Sequence, residues 1–503
     1  MKKTIKFLAL AMCVLMLLAV FASCKKNKPG ENGESENSSV SSDVVDPNGS
    51  ESNTSAINQS GIEIQDMDGR ALTIWYSTLS GWSPYPLSVT SEEATADQIY
   101  KAGYERNAAL ERDFNLTLTY FPNASDPNTG DIRDVTELRS LGESMDIADF
   151  DIIMTGSKAC NALAVEGFYT DLAKYDVIKT DAPYYEQLVN KQVRFLGHQF
   201  FASGFYSVGS TTALEVTHVN LDLLETYSDI TVDELNKLAL EHKWTMEKLL
   251  ELGKGYATPA TNVGDYSLDQ YAFICSYNNA HSLYHSLGGN GIAYNDTTNR
   301  YSCTLNSPVE QNRFTYIQDT VAKQDGKLVG IVKNDGQTTA FVNNAAPFLL
   351  NPISSIPRIQ EAGIKHTIMP PPCLNEGDEY QSYSVGWNMN FAGIPALTMD
   401  PETSAYLYEV FMCYSYDYIY PAGYEKLFRT QYTPDNSSVQ VFDLVAKSRF
   451  VSMIDIYALN QSGIAIKDVC RDPAQGVGEF AEKATRSIAN QLSDRITTFG
   501  KIS

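Results

Sequence analysis

Two imidazoles stand four residues apart in His281-Ser282-Leu283-Tyr284-His285, a spacing that puts two side chains on one face of a helix. Such a pair serves a hydrolytic zinc site when a glutamate follows the first histidine, and none follows His281. The pair is therefore read as two polar residues on a helix surface. Carboxylates are plentiful, with 61 Asp and Glu, yet none is singled out as half of the acid pair that glycoside hydrolysis requires. No GxSxG elbow, Walker loop or GxGxxG following a strand occurs. Cys160, Cys275, Cys303, Cys373, Cys413 and Cys470 are scattered, with no CxxC pair. A zinc cluster is not expected from them, and they are read as small buried hydrophobes. The sequence assigns no catalytic residue, no metal and no cofactor. A carbohydrate-active enzyme on the cell surface stays open as an alternative.

Binding makes other demands: aromatic faces for sugar rings, and a few directed polar groups on loops. In open α/β sheets the ligand lies beyond the carboxyl ends of the strands. That rule selects Tyr76, Ser77, Thr78 and Trp82 after the first strand. It selects Thr155, Gly156 and Ser157 after the third, where a helix start aims N–H groups outward. Tyr277 and Asn278 are placed in a helical stretch before Gly288-Gly289, and Asn351 follows Phe348-Leu349-Leu350. Tyr383, Trp387 and Asn388 lie in QSYSVGWNMNF, a polar and aromatic run between strands. Glu215 and Asn220 either bond ligand hydroxyls or brace a hinge, with bracing preferred. Trp75 is read as core and Trp244 as a helix cap, leaving Trp82 and Trp387 as the aromatic candidates.

These residues need a scaffold. ALTIWYS (71–77) is β-rich, and ADQIYKAGYERNAALERDF has apolar positions three and four apart. NLTLTYFP (115–122) alternates, DVTELRSLGES suits a helix, and FDIIMTG (150–156) has the look of a buried parallel strand. Strand, helix, strand, helix, strand is an α/β order.

The chain opens with a basic MKKTIK, then an apolar run too short for a membrane span, then small residues. This is the layout of a secretory signal, and Phe21-Ala22-Ser23-Cys24 resembles the lipobox of bacterial lipoproteins. The resemblance implies that Cys24 is acylated, palmitate included, and becomes the mature N-terminus; Phe21 departs from the usual aliphatic there. Residues 25 to about 60 are rich in Ser, Asn, Glu and Gly and lack an apolar period, so they read as a tether. The formal net charge of −23 argues against nucleic acid as a partner. It argues equally against adhesion to anionic lipid.

In order along the chain, several stretches resemble the extracellular solute-binding lipoproteins of ABC importers, the carbohydrate-binding family that includes maltose-binding protein. They are RNAALERDFNLTLTYFP, FDIIMTGSKACNALAVEGFYTDLAKYD, TALEVTHVNLDLLETY, HKWTMEKLLELGK, LYHSLGGNGI, TTAFVNNAAPFLLNP and GIPALTMDPETSAYLYEVFMCYSY. Gly197-His198-Gln199 departs from the family's Gly-Lys, and the linker after Asp171 is long. The resemblance implies a two-lobed periplasmic-binding-protein-like fold of type II, each lobe a mixed sheet flanked by helices and joined by crossover strands. The expected division is a signal peptide at 1–23, a tether at 24–62, lobe 1 at 63–216 and 392–434, and lobe 2 at 217–391 and 435–503. It further implies a carbohydrate ligand, ABC permease subunits as partners, a monomer, and lipid anchoring on the outer face of a Gram-positive cell membrane.

Overall fold

Hydrophobic residues alternate in Ala71–Thr78, so one strand feeds two cores: Leu72, Ile74 and Tyr76 face one way and Trp75 the other. This relation comes from a computed structural model, which describes residues 61–78, 87–124, 130–258, 270–278, 280–295, 297–298, 300–333, 335–384, 389–431, 436–457, 459 and 465–501. All of them belong to one unit, Ser55–Ser503. Among the described residues, no helix is long and apolar enough to cross a membrane.

Among the described residues thirteen strands are formed: β1 (Ala71–Thr78), β2 (Thr117–Ala124), β3 (Ile152–Gly156), β4 (Glu215–Asn220), β5 (Phe273–Ser276), β6 (Ile292–Asn295), β7 (Arg300–Cys303), β8 (Val329–Val332), β9 (Phe348–Pro352), β10 (His366–Met369), β11 (Ser382–Tyr383), β12 (Asn390–Gly393) and β13 (Arg449–Phe450). They make a four-stranded sheet ordered β12-β3-β1-β2 and a five-stranded sheet ordered β10-β4-β9-β5-β8, with two small ladders, β11-β13 and β6-β7. In each large sheet the parallel pairs sit beside an antiparallel strand. In the first it is β12 on β3, and in the second β4, which runs against both β9 and β10. The architecture is mixed α/β in two bodies.

The first sheet is covered on one face by α1 (Gln98–Phe114) and on the other by α2 (Ser157–Val165). Asp97 caps α1 by accepting from Ile99 and Tyr100 N–H groups, and its buried positions recur every three to four residues. A later helix, Pro401–Tyr420, packs beside α1; it begins with Asp400 as cap and Pro401 in the first turn. Arg106 of α1 lies fully buried, its guanidinium 4.7 Å over the Phe411 ring.

The second sheet is apolar on both faces. Phe273, Cys275, Phe348 and Leu350 join the large core, while Ile274 and Leu349 join a smaller one with Phe341 and Ile359. A third core joins the two bodies: Ile99 and Ala102 from α1 meet Val216 of β4, Ile368 of β10, Ile419 and Phe428. The C-terminal helix, Val477–Phe499, buries Phe480, Ala484, Ile488 and Leu492, and Phe499 ends against Phe195 at 5.4 Å and Phe200 at 5.1 Å.

One local expectation changes. Trp244 does not cap its helix. Thr245 does, accepting from Lys248 N–H at 3.1 Å, while Trp244 is wholly buried and donates from Nε1 to the Pro370 carbonyl at 3.0 Å. The Gly197-His198-Gln199 turn is pinned by Asp171, whose carboxylate meets His198 Nδ1 at 2.7 Å and accepts from Gln199 N–H at 2.9 Å. No disulfide links the six described cysteines; Cys303 is half-buried and the other five are buried.

Candidate functional site

A short helix, α3 (His281–Ser286), follows β5 and gathers polar groups from distant segments. Glu215, the first residue of β4, is buried and accepts from Ser282 Oγ at 3.2 Å. Tyr383 of β11 stacks on the His285 ring at 4.7 Å, and the His281 ring meets its edge at 5.2 Å. The Tyr383 hydroxyl donates to Asp455 Oδ2 at 2.9 Å. His285 Nδ1 donates to the Gly289 carbonyl at 2.9 Å, which turns Nε2 toward Asp455 Oδ2 at 3.7 Å.

The histidine pair is therefore not a surface feature. His285 has no exposed area, because Tyr383 and Phe450 close over its ring. Burial lowers the pKa of His281 to about 4, so it is neutral at ordinary pH. For Asp455 burial acts to raise the pKa, but the neighbouring His285 and His281 imidazoles and the Tyr383 hydroxyl outweigh it and hold the group at about 2. Asp455 keeps 25% of its side-chain surface exposed. An ionised carboxylate at such a partly open position is an acceptor for hydroxyl groups.

The other candidates fall into three groups. Tyr76, Ser77 and Thr78 lie within β1 rather than after it. Tyr76 packs edge-on against Tyr120 at 6.2 Å and Ser77 is buried. Thr155 and Gly156 likewise end β3, and Thr155 Oγ1 lies 2.9 Å from Cys160 Sγ. Ser157 opens α2, which packs against Met453–Ile456, the turn that carries Asp455. Tyr277 and Asn278 form a turn after β5, not a helix: a tight strand exit needs its polar groups tied down locally. Asn278 N–H donates to Ser276 Oγ at 3.1 Å and its amide to Asp335 at 3.0 Å. The Arg471 guanidinium lies 3.7 Å from the centre of the Tyr277 ring, so that ring face is covered.

Asn351 lies inside β9, buried, and its amide is spent on Gln337, Thr338 and Ser355. Asn220 caps the helix after β4 by accepting from Leu223 N–H at 3.2 Å. Trp82, Trp387 and Asn388, like Cys24, lie outside the described residues. The structure thus brings Glu215 and Tyr383 to one helix, and adds Ser282, His285 and Asp455, which the sequence reading did not choose. Asp455 had a signal: it is the one acid in the apolar run Met453-Ile454-Asp455-Ile456-Tyr457.

No family model and no curated protein matches the chain. Solved structures do. A cyclo/maltodextrin-binding protein complexed with maltotetraose aligns over 85% of this chain and 97% of its own, with TM-score 0.55 and 13% identity. An ABC substrate-binding protein from Listeria monocytogenes in complex with cycloalternan aligns over 85% and 100%, with TM-score 0.51 and 14% identity. The maltose-binding periplasmic protein of the same organism, in complex with maltose, aligns over 85% and 98%, with TM-score 0.50 and 15% identity. The fold is that of the two-lobed ABC substrate-binding proteins. At 13–15% identity this likeness carries the fold and leaves the ligand to the residues of this chain.

Proposed function

We propose that this protein is a solute-binding protein that captures a carbohydrate between its lobes and delivers it to the permease of an ABC importer. The observation that carries the reading is the shared fold, with the Asp455 carboxylate, oriented by Tyr383 and partly exposed, as an acceptor for a sugar hydroxyl. The three solved neighbours are each bound to a sugar, which supports the same class of ligand. Maltotetraose and cycloalternan in two of those neighbours favour an oligosaccharide over a single ring.

In this reading the ligand binds one lobe first, and closure adds contacts from the other, shifting the population toward the closed form. The closed protein docks on the permease, and ATP is hydrolysed on the importer's own subunits; this chain performs no turnover. Residues 1–23 are a signal, Cys24 carries lipid, and 24–62 tether a monomer to the outer face of the membrane. Lobe 1 spans 63–216 and 392–434, and lobe 2 spans 217–391 and 435–503. Trp82, Trp387 and Asn388 remain the aromatic and amide candidates that the sequence supplies for the ligand.

The test is a thermal-shift screen against mono- and oligosaccharides. A saturable rise in melting temperature with one sugar series is expected. If no sugar shifts the transition while a peptide library does, the ligand class is wrong; release of reducing ends from a polymer would make the protein an enzyme.

A further inference from the structure

Asp455 sits on a four-residue helical turn, Met453–Ile456, that follows the two-residue strand β13. Neither element is long enough to hold its own shape. We propose that the segment Glu186–Val193 is a positioning clamp, which fixes the Asp455 carboxylate and the Tyr383 ring in place for the ligand. The inference rests on the sugar-binding reading above.

Three points of this segment grip the chain that carries Asp455. Glu186 stands at the N-cap of the helix Gln187–Val193, yet its side chain caps nothing. Its carboxylate turns instead to Arg449, the first residue of β13, and the two side chains are only 1% and 7% exposed. At the far end of the helix, Gln192 Oε1 accepts from Val451 N–H at 2.7 Å, and the Val193 carbonyl accepts from the Tyr457 hydroxyl. The grips fall at Arg449, Val451 and Tyr457, on both sides of Asp455.

The clamp is itself held. Glu186 also accepts from Ser203 Oγ at 2.5 Å and from Ser210 Oγ, and Arg449 Nη2 donates to Thr211 Oγ1 at 3.0 Å. Asn190, within the helix, exchanges two 2.8 Å hydrogen bonds with the Ser203 backbone.

From β13 the constraint passes to Tyr383. Ser382 and Ser384 N–H groups donate to the Ser448 and Phe450 carbonyls at 2.8 Å and 2.7 Å, so Tyr383 lies between two backbone bonds. Phe450, next to Arg449, lies 5.2 Å from the His285 ring on which Tyr383 stacks. Arg449 thus reaches the acceptor by two short routes. One runs along the chain to Asp455, and the other crosses the ladder to the tyrosine whose hydroxyl holds it. Exchanging a buried ion pair for apolar residues of like volume is often neutral for stability. The pair's contribution here is direction. A carboxylate already aimed loses little freedom on binding.

The experiment is calorimetric titration of the full chain with maltotetraose, the sugar held by one solved neighbour, with melting temperature followed in parallel. Glu186→Leu combined with Arg449→Met removes both charges together, so no unpaired ion is left to unfold the protein. This double variant is expected to melt close to the unaltered chain and to bind about tenfold more weakly. Gln192→Leu removes the acceptor for Val451 N–H and should weaken binding about threefold. Gln192→Glu keeps an acceptor and should restore it. In a Tyr383→Phe background the double variant should lose little further affinity, because both changes act on Asp455. Additive losses overturn the proposal. So does unchanged affinity in the double variant and in Gln192→Leu when Asp455→Asn binds about tenfold more weakly, which would make the segment a structural brace alone. Unchanged affinity in Asp455→Asn, or no saturable heat with the unaltered chain, overturns the sugar-site reading and the clamp with it.

Discussion

Tyr383 and Asp455 are joined by a 2.9 Å hydrogen bond between segments 72 residues apart, and the same tyrosine ring lies parallel to His285. Hydroxyl and ring therefore do separable work. Tyr383→Phe keeps the stack and removes the donor. A hydrogen bond to a charged group contributes about 1.5–3 kcal/mol, so a modest loss of apo stability is expected. Freed of its partner, Asp455 loses its fixed orientation, and affinity for the sugar found by thermal shift is expected to fall about tenfold. Calorimetry on both proteins checks this; unchanged affinity would remove Asp455 from the site.

Glu186→Gln leaves the Arg449 charge buried without its counter-ion. Breaking a buried pair in this way costs about 3–5 kcal/mol, and urea denaturation should show a matching fall in midpoint at constant slope. A loss below about 1 kcal/mol would mean that water reaches Arg449.

Acid should destabilise the protein in a defined window. Burial lowers the pKa of His218 to about 3 and that of His366 to about 4, with the two rings 6.2 Å apart on neighbouring strands. Their unfolded-state value is 6.5, so the unfolded chain binds more protons and stability falls as pH drops from about 6.5 toward 4. Melting temperature measured from pH 7.5 to 4 should decline through this window. His366→Asn should flatten the slope, and an unflattened slope would assign the loss to other groups.

Trp387→Ala tests the aromatic reading of QSYSVGWNMNF. Stacking a sugar face on indole contributes roughly 1–3 kcal/mol, so affinity should drop tenfold or more with little change in apo melting. A large apo destabilisation with normal residual binding would make the residue core.

Cys24→Ser should move the protein from the membrane fraction to the soluble one after cell fractionation. Retention in the membrane would defeat the lipobox reading.

The scaffold was legible because its signals are local. Alternation in ALTIWYS and the apolar spacing of residues 98–114 appear as β1 and α1 with small shifts of their ends. The cleft was less so. Tyr76 and Thr155 were expected beyond the strand ends, but they lie inside β1 and β3, which end at Thr78 and Gly156. The histidine pair looked solvent-facing because helical spacing is blind to what covers a face. Here the cover is Tyr383 and Phe450, about 100 and 165 residues away in sequence.

Phe499, last residue of the C-terminal helix, packs against Phe195 and Phe200, with Tyr457 5.9 Å away. Phe195 and Phe200 precede Phe499 by about 300 residues, so this part of the core cannot close until the Val477–Phe499 helix has been made. Residues 61–450 emerging alone would expose the apolar patch that this helix covers. Deleting residues 477–501 should leave a protein that collapses without cooperative unfolding, rather than one that is merely shorter.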